Sequence, residues 1–172
     1  EIPQPDYATN AIAWFEAKFN QTLETINDHF SKFRLSDALM SVYKLVWDDF
    51  CSWYLEAIKP GYQQPIDAKT LQQTIQIFER LMQVVHPFMP FITEEIWHIL
   101  RECEENDCIM VSKMPEPIAY DAQILTSFEQ AMEIIINVRT IRQEKNIANK
   151  EKLSMQIIAD TANCDHTFES LI

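Results

Sequence analysis

The sequence predicts an all-α fold, a helical bundle, on the basis of three observations. Apolar residues recur at spacings of three and four along most of the chain, which is the period of an amphipathic helix. Gly61 is the only glycine in 172 residues, whereas tight hairpins and phosphate-binding loops require residues that tolerate positive φ. Prolines and helix-capping residues separate the periodic stretches, so we expect five helices joined by short links.

The first predicted helix follows the extended segment 2–5 and ends between His29 and Lys32. Its apolar stripe comprises Ile12, Phe15, Phe19, Leu23, Ile26, Phe30 and Phe33. We expect Thr9 or Asn10 to cap the helix, because such side chains accept hydrogen bonds from the first free backbone N–H groups.

The second predicted helix begins with Ser36 as its N-cap and ends at residues 59–61. Its apolar stripe comprises Leu39, Val42, Val46, Phe50, Trp53 and Ala57. Three further aromatic residues broaden the apolar arc, namely Tyr43, Trp47 and Tyr54. Because a broad apolar arc is buried on more than one side, we expect this helix to be central in the bundle.

The third and fourth predicted helices are separated by a proline-rich link. Asp67 is expected to cap the third helix, which ends before Pro87. The core face of the third helix is predicted to comprise Leu71, Ile75, Phe78, Met82 and Val85. The fourth helix runs from Pro90 to Arg101, since proline at the first helical position loses no backbone hydrogen bond.

The C-terminal part of the sequence changes its period. A crossover loop over 102–117 precedes a fifth predicted helix, whose stripe comprises Ile124, Phe128, Met132, Ile135, Val138 and Arg142. Apolar residues then alternate at period two over 153–159, which is typical of a half-buried strand, and Asp165 is a cap for a last helix. We therefore predict a bundle over 1–147 and the start of a small, truncated α+β element over 148–172.

The composition and motifs argue against catalytic or metal chemistry in this chain. The sequence has no glycine-rich phosphate loop, no GxSxG, no HExxH and no CxxC. We predict no catalytic residue, no metal ligand and no cofactor. The four cysteines indicate reduced thiols in the cytoplasm. Because no apolar run approaches the roughly 20 residues that span a bilayer, we expect no membrane association.

The charge distribution bears on nucleic-acid binding. The formal net charge is −12, which is unusual for a protein that contacts phosphates. The acid is concentrated in residues 87–138, which hold 10 acidic and 2 basic groups. A basic strip elsewhere on the surface therefore remains able to act locally, within a Debye length of roughly 10 Å.

Two basic clusters are candidates for phosphate contacts. Arg139, Arg142 and Lys145 recur at a spacing of three, and Lys150 follows in the next loop. Lys32 and Arg34 precede the second helix. The alternative for the first cluster is an ordinary solvated helix end. The four tryptophans are available to stack on RNA bases, although their positions on or near the apolar stripes favour packing for most of them.

Two segments resemble a known family. HPFMPFITEEIW, residues 86–97, resembles a signature of the anticodon-binding domain shared by valyl, leucyl and isoleucyl class I aminoacyl-tRNA synthetases. FRLSDALMSVYKLVWDDFCSWYLEAIKP, residues 33–60, is most similar to the valyl branch. The resemblance covers about residues 8–145.

This resemblance implies a function in protein biosynthesis. A bundle of this kind binds the anticodon stem-loop of tRNA(Val) for a valine–tRNA ligase. ATP and Mg²⁺ belong to that ligase's catalytic domain, which with an editing domain lies elsewhere in the same polypeptide. We expect a cytoplasmic, monomeric enzyme of which this chain is a piece. The candidate tRNA-binding residues are Lys32, Arg34, Lys44, Arg139, Arg142, Lys145, Asn146 and Lys150.

Two alternatives remain open at this stage. The first is the corresponding domain of an isoleucyl or leucyl enzyme, since the HPFMPF segment is shared by those branches. The second is a helical protein-interaction module without RNA binding, which is consistent with the acidic balance.

Overall fold

A computed structural model describes residues 2–101, 107–148, 151 and 154. The described residues form helices and no strand, which confirms the predicted all-α class. The elements are α1 (Asp6–Ser31), α2 (Leu35–Lys44), a π-helix (Leu45–Tyr54), α3 (Leu55–Ala57), α4 (Ala68–Val85), α5 (Pro90–Leu100), a short 3₁₀-helix (Ile109–Val111) and α6 (Ala122–Glu144). The strand predicted over 153–159 and the helix after Asp165 lie outside the described residues.

The chain divides into two compact units, Glu1–Asp121 and Ala122–Ile172. The first contains α1 to α5 and the second contains α6. The predicted boundary between residues 147 and 148 stays a prediction, because most residues that follow it lie outside the described part of the chain.

Helix α1 begins earlier than predicted. The carbonyl of Pro5 accepts hydrogen bonds from the backbone N–H groups of Ala8 and Thr9, both at 3.1 Å. The Thr9 hydroxyl donates to the same carbonyl at 3.3 Å, so Thr9 lies inside the first turn. The prediction that Thr9 or Asn10 caps this helix was therefore wrong, because the fixed φ of Pro5 already sets the entry into the helix.

The apolar stripe of α1 is buried along most of its length. Its members from Ile12 to Ile26 are buried, whereas Phe33 is exposed. The stripe ends early because the helix ends at Ser31 and the chain then turns.

The second predicted helix is continuous but changes its hydrogen bonding. It begins at Leu35 with Arg34 in the N-cap position, so Ser36 is not the cap. After Lys44 the backbone adopts the π pattern, in which the N–H of Leu55 donates to the carbonyl of Phe50, five residues earlier. Of the predicted stripe, Val42, Phe50 and Ala57 are buried.

The buried residues of this continuous helix lie before, within and after the π segment. They are Ala38, Val42, Leu45, Phe50, Tyr54, Ala57 and Ile58. Leu39, a member of the predicted stripe, is exposed, and so are Tyr43 and Trp47. The prediction that Tyr43 and Trp47 broaden a buried arc was therefore wrong.

An aromatic cluster joins α1, the π-helix and α4. The ring centroids of Phe15 and Phe50 lie 5.4 Å apart, and those of Phe15 and Tyr54 lie 4.9 Å apart. Phe50 stacks on Phe78 of α4 with centroids 5.8 Å apart. Offset and edge contacts of this kind add about 0.5–1.5 kcal/mol per pair to the free energy of area burial. The cluster therefore fixes the relative positions of the three helices.

Helix α4 starts where the sequence predicted. The carboxylate of Asp67 accepts a hydrogen bond from the backbone N–H of Thr70 at 2.8 Å, which confirms Asp67 as the N-cap. The core face is rotated from the prediction, since Leu71 and Ile75 are exposed. Met82 and Val85 are buried as predicted, and the other buried residues are Thr70, Ile77, Leu81 and Val84. The sequence carries two adjacent apolar stripes on this helix, and packing selects the second.

The segment from His86 to Trp97 links α4 to α5. Pro90 is the first residue of α5, as predicted. The Thr93 hydroxyl donates to the Met89 carbonyl at 2.8 Å, so its oxygen accepts the hydrogen bond from Nδ1 of His86, also at 2.8 Å. This link makes the HPFMPFITEEIW segment a rigid corner between two helices.

Candidate nucleic-acid interface

The corner between α1 and α2 carries two of the predicted basic residues, Lys32 and Arg34. The N–H of Arg34 donates to the carbonyl of His29 at 2.8 Å, and the N–H of Phe33 donates to the carbonyl of Phe30 at 3.0 Å. These two bonds form a Schellman motif, in which the residue after the helix adopts a left-handed conformation. Phe33 occupies that position with φ of 57°, so the backbone of the corner is held firmly.

The charges at this corner are partly paired. Lys32 Nζ lies 2.5 Å from a carboxylate oxygen of Asp28, and both side chains are about half exposed. The hydrogen bond from Lys32, with smaller effects from the charges of Lys32, Arg34 and His29, lowers the pKa of Asp28 below its usual value. Among the described residues, no ion pair is formed by Arg34. Arg34 is therefore the better placed of the two cations to meet a phosphate.

An exposed aromatic pair lies on α2 and the first turn of the π-helix. The rings of Tyr43 and Trp47 are stacked, with centroids 6.4 Å apart and an interplanar angle of 13°. Tyr43 is 53% exposed and Trp47 is 59% exposed. Two parallel aromatic faces at a surface are suited to stack further planar groups, including unpaired RNA bases.

A polar groove of about 380 Å³ lies beside this pair, between α1 and the helix that contains Lys44. It is lined by Lys18, Gln21, Thr22, Thr25, Ser41, Lys44, Asp48 and Asp49. The hydroxyl groups of Thr22, Thr25 and Ser41 donate to backbone carbonyls four residues earlier, so only their lone pairs face the groove. With the two carboxylates, the groove is rich in hydrogen-bond acceptors and contains two lysines as cations.

The remaining candidates belong to the second compact unit and are described by themselves. Arg139 and Lys145 are exposed, and Asn146 is exposed with φ of 52°. The guanidinium of Arg142 donates to the carbonyls of Ala148 and Glu151, both at 2.9 Å. Arg142 therefore holds the chain that follows α6, which is a structural role that the sequence did not predict.

The structure does not gather the predicted residues into one described cluster. Lys32 and Arg34 share the corner after α1, whereas Lys44 lies in the groove. Lys150 lies outside the described residues. Trp47 was among the four tryptophans considered for stacking, but the sequence did not distinguish the exposed Tyr43–Trp47 pair, because an apolar stripe at helical spacing gives the same signal whether it is buried or exposed.

Comparison with known proteins identifies the family. The sequence model of the family described as the anticodon-binding domain of tRNA ligase matches residues 13–157, which is most of the chain. The chain belongs to this family.

Similar proteins include valine–tRNA ligases of several bacteria. That of Parabacteroides distasonis is 49% identical over 159 residues, which are 92% of this chain and 18% of that relative. That of Christiangramia forsetii is 45% identical over 172 residues, which are 100% of this chain and 20% of the relative. That of Bacillus cereus is 35% identical over 154 residues, 87% of this chain and 17% of the relative. The chain spans about a fifth of the length of the curated relatives it matches.

The first unit of this anticodon-binding domain has a further exposed surface on α5. The outer face of α5 exposes Phe91, Ile92 and Ile99 beside Glu95. Its neighbouring cation Arg101 is engaged, since it lies over the Trp97 ring at 4.5 Å and pairs with Glu79 at 3.6 Å. The α5 face therefore suits phosphate contacts less well than the corner with Arg34 or the groove with Lys44.

The described part of this anticodon-binding domain offers few features for metal, thiol or membrane chemistry. No group of three or more His, Cys, Asp or Glu residues is arranged to hold a metal ion there. Cys51 and Cys108 are free thiols, and Cys103 and Cys164 lie outside the described ranges. None of the described helices is both long enough and apolar enough to cross a membrane.

Proposed function

We propose that this chain binds the anticodon stem-loop of tRNA(Val) and positions it for a valine–tRNA ligase of protein biosynthesis. The match to the anticodon-binding family over residues 13–157 carries this proposal. The names of the relatives favour the valyl branch over the isoleucyl and leucyl ones. ATP and Mg²⁺ serve the ligation in another part of the polypeptide, and the enzyme acts as a cytoplasmic monomer.

Base stacking on the Tyr43–Trp47 pair is the first step of the proposed recognition. Loop bases of a hairpin are unpaired and can be splayed out to expose a face, whereas stem bases are held in the paired helix. An aromatic side chain that receives such a base contributes roughly 1–3 kcal/mol of binding free energy. The parallel rings of Tyr43 and Trp47 therefore select the loop rather than the stem.

The groove beside the pair supplies the hydrogen bonds that distinguish bases. Its lining offers lone pairs from hydroxyl groups and from Asp48 and Asp49. Acceptors of this kind bind the amino groups of adenine, cytosine and guanine, which uracil lacks. Lys44, at the edge of both features, attracts the phosphate that connects the stacked base to the next nucleotide.

Cationic side chains outside the groove set the position of the stem. The candidates for backbone contacts are Arg34 at the corner after α1 and, in the second unit, Arg139, Lys145 and Lys150, with the neutral amide of Asn146 as a further hydrogen-bond donor. Arg142 is a weaker candidate, because its guanidinium already donates to two backbone carbonyls. Phosphate contacts of this kind orient the hairpin and carry no sequence information.

Substitution of Trp47 tests this proposal. In an anisotropy titration of the 172-residue chain with a labelled anticodon stem-loop of tRNA(Val), we expect Trp47→Ala to weaken binding by roughly 5- to 100-fold. Tyr62→Ala is the matched control, because Tyr62 is an aromatic residue that is 91% exposed in the loop before α4.

Two results would contradict the proposal. A chain that binds no stem-loop at low salt would instead be a helical protein-interaction module. Equal affinities of Trp47→Ala and Tyr62→Ala would remove the aromatic pair from the interface. Far-ultraviolet circular dichroism of each variant shows that the helices are retained.

A further inference from the structure

Phe33 occupies a backbone conformation that is unfavourable for a bulky residue. Its φ of 57° lies in the left-handed region, which glycine adopts freely and which a side chain with a Cβ disfavours. Glycine is the usual residue at this position of a Schellman motif. The chain therefore carries strain at the corner between α1 and α2 that a glycine would relieve.

Packing does not compensate for this strain. The Phe33 side chain is 90% exposed, so it contributes almost no burial to the folded state of the described chain. Gln63 shows the same backbone conformation with φ of 60°, but its side chain is polar and interacts with water at no penalty. An exposed phenyl ring in a strained position combines two unfavourable features, and such residues concentrate at functional sites.

The surroundings of Phe33 match the needs of an unpaired nucleotide. Lys32 and Arg34 flank it in sequence, and Arg34 is exposed without an ion pair among the described residues. The backbone is fixed by the hydrogen bonds of Phe33 N–H to Phe30 and of Arg34 N–H to His29. Because the backbone at Phe33 is already fixed, only the rotation of the side chain is lost when a base stacks on the ring.

We propose that Phe33 is a second stacking residue, which receives an unpaired base of the bound tRNA while Arg34 contacts the adjacent phosphate. The proposal rests on the proposed function, since it assigns a further contact to the same RNA. A different observation supports it: Phe33 is a strained and exposed residue, whereas the Tyr43–Trp47 site was inferred from a stacked pair of rings.

The variant Phe33→Gly separates function from stability. Because glycine relieves the left-handed strain, we expect its Tm to rise by about 2–4 °C. Because the stacking face is lost, we expect the Kd for the anticodon stem-loop of tRNA(Val) to increase by roughly 5-fold or more. The matched control Gln63→Gly relieves the same kind of strain, so its Tm rises while its Kd stays within about twofold of the unmodified chain.

The conservative variant Phe33→Trp tests whether an aromatic face at this position is sufficient for binding. Phe33→Trp keeps an aromatic face and retains the Kd within about threefold. If Phe33→Gly is more stable and binds the stem-loop as tightly as the unmodified chain, the proposal for Phe33 is wrong, and the ring is covered by another surface. If the unmodified chain itself does not bind the stem-loop, the proposed function fails instead.

Discussion

The hydroxyl of Tyr54 shows how a single buried polar group stabilises this bundle. The Thr74 hydroxyl donates to the Thr70 carbonyl at 2.8 Å, so the Tyr54 hydroxyl donates to Thr74, also at 2.8 Å. Burial, together with the nearby negative charge of Glu16, raises the pKa of Tyr54 to about 12, against the opposing effect of the Thr74 bond. The neutral phenol is therefore the form that the folded state retains.

Tyr54→Phe removes this hydrogen bond and leaves the ring in place. We expect a loss of about 1 kcal/mol in the free energy of unfolding, measured by urea titration at pH 7. Since the folded pKa is raised, the unmodified chain has its full contribution below pH 10 and loses it between pH 10 and about 12. The Phe variant lacks this part of the alkaline loss. Equal dependence of the unfolding free energy on alkaline pH in the two proteins would exclude Tyr54 as the source of this loss.

At the residue scale, the sequence predicted burial better than it predicted exposure. Phe15, Phe19 and Leu23 are buried, as their helical spacing indicated. Trp47 and Phe33 belong to the same kind of pattern and are exposed. Apolar periodicity reports that a side chain favours contact with another surface, but it does not say whether that surface is inside the domain or on a partner. These two residues are therefore candidates for binding.

At the element scale, helix starts and ends were predictable where a side chain or a proline determines them. Asp67 and Pro90 were placed correctly, because the cap and the first-turn proline depend only on neighbouring backbone. The π-helix over Leu45–Tyr54 was not predicted. Its hydrogen bonds span five residues, and apolar residues at spacings of three and four do not distinguish that pattern from an ordinary helix.

The N-cap of α4 provides a test at this scale. Asp67→Ala removes the acceptor for the Thr70 N–H, so we expect Tm to fall by about 3 °C in a thermal melt followed by circular dichroism. Asp67→Asn retains a capping oxygen and is the control at pH 7.

The stability of Asp67→Asn at acid pH tests whether the negative charge of Asp67 contributes beyond its capping hydrogen bond. Burial opposes ionisation, but hydrogen bonds from Thr70 and neighbouring backbone N–H groups outweigh it and lower the pKa of Asp67 below its usual value. A lowered pKa contributes stability above the unfolded value of about 4, and this is lost as pH falls through the folded value. The Asn variant should lose less stability than the unmodified chain below pH 4. Parallel acid profiles would show that the charge has no role.

At the scale of the whole molecule, the acidic balance is compatible with an RNA partner. The net charge is −12, yet Arg34, Lys44 and the Tyr43–Trp47 pair lie outside the acidic segment 87–138 in the sequence. Charges farther away than about 10 Å are screened at physiological salt, so phosphate contacts depend on the charges close to them rather than on the net charge. The family itself was predictable because residues 33–60 and 86–97 resemble its members, whereas the proposed RNA-binding surface was not, because the sequence does not show which side chains are exposed.

The most direct test of the central claim is a comparison of anticodons. The affinity of the 172-residue chain is measured by anisotropy for a hairpin that copies the anticodon stem-loop of tRNA(Val), and for the same hairpin carrying an isoleucine or leucine anticodon. Because each lost base contact costs roughly 1–3 kcal/mol, we expect the valine hairpin to bind about tenfold tighter or more. Equal binding of all three hairpins, or binding of none of them, would contradict the claim that this domain reads the valine anticodon.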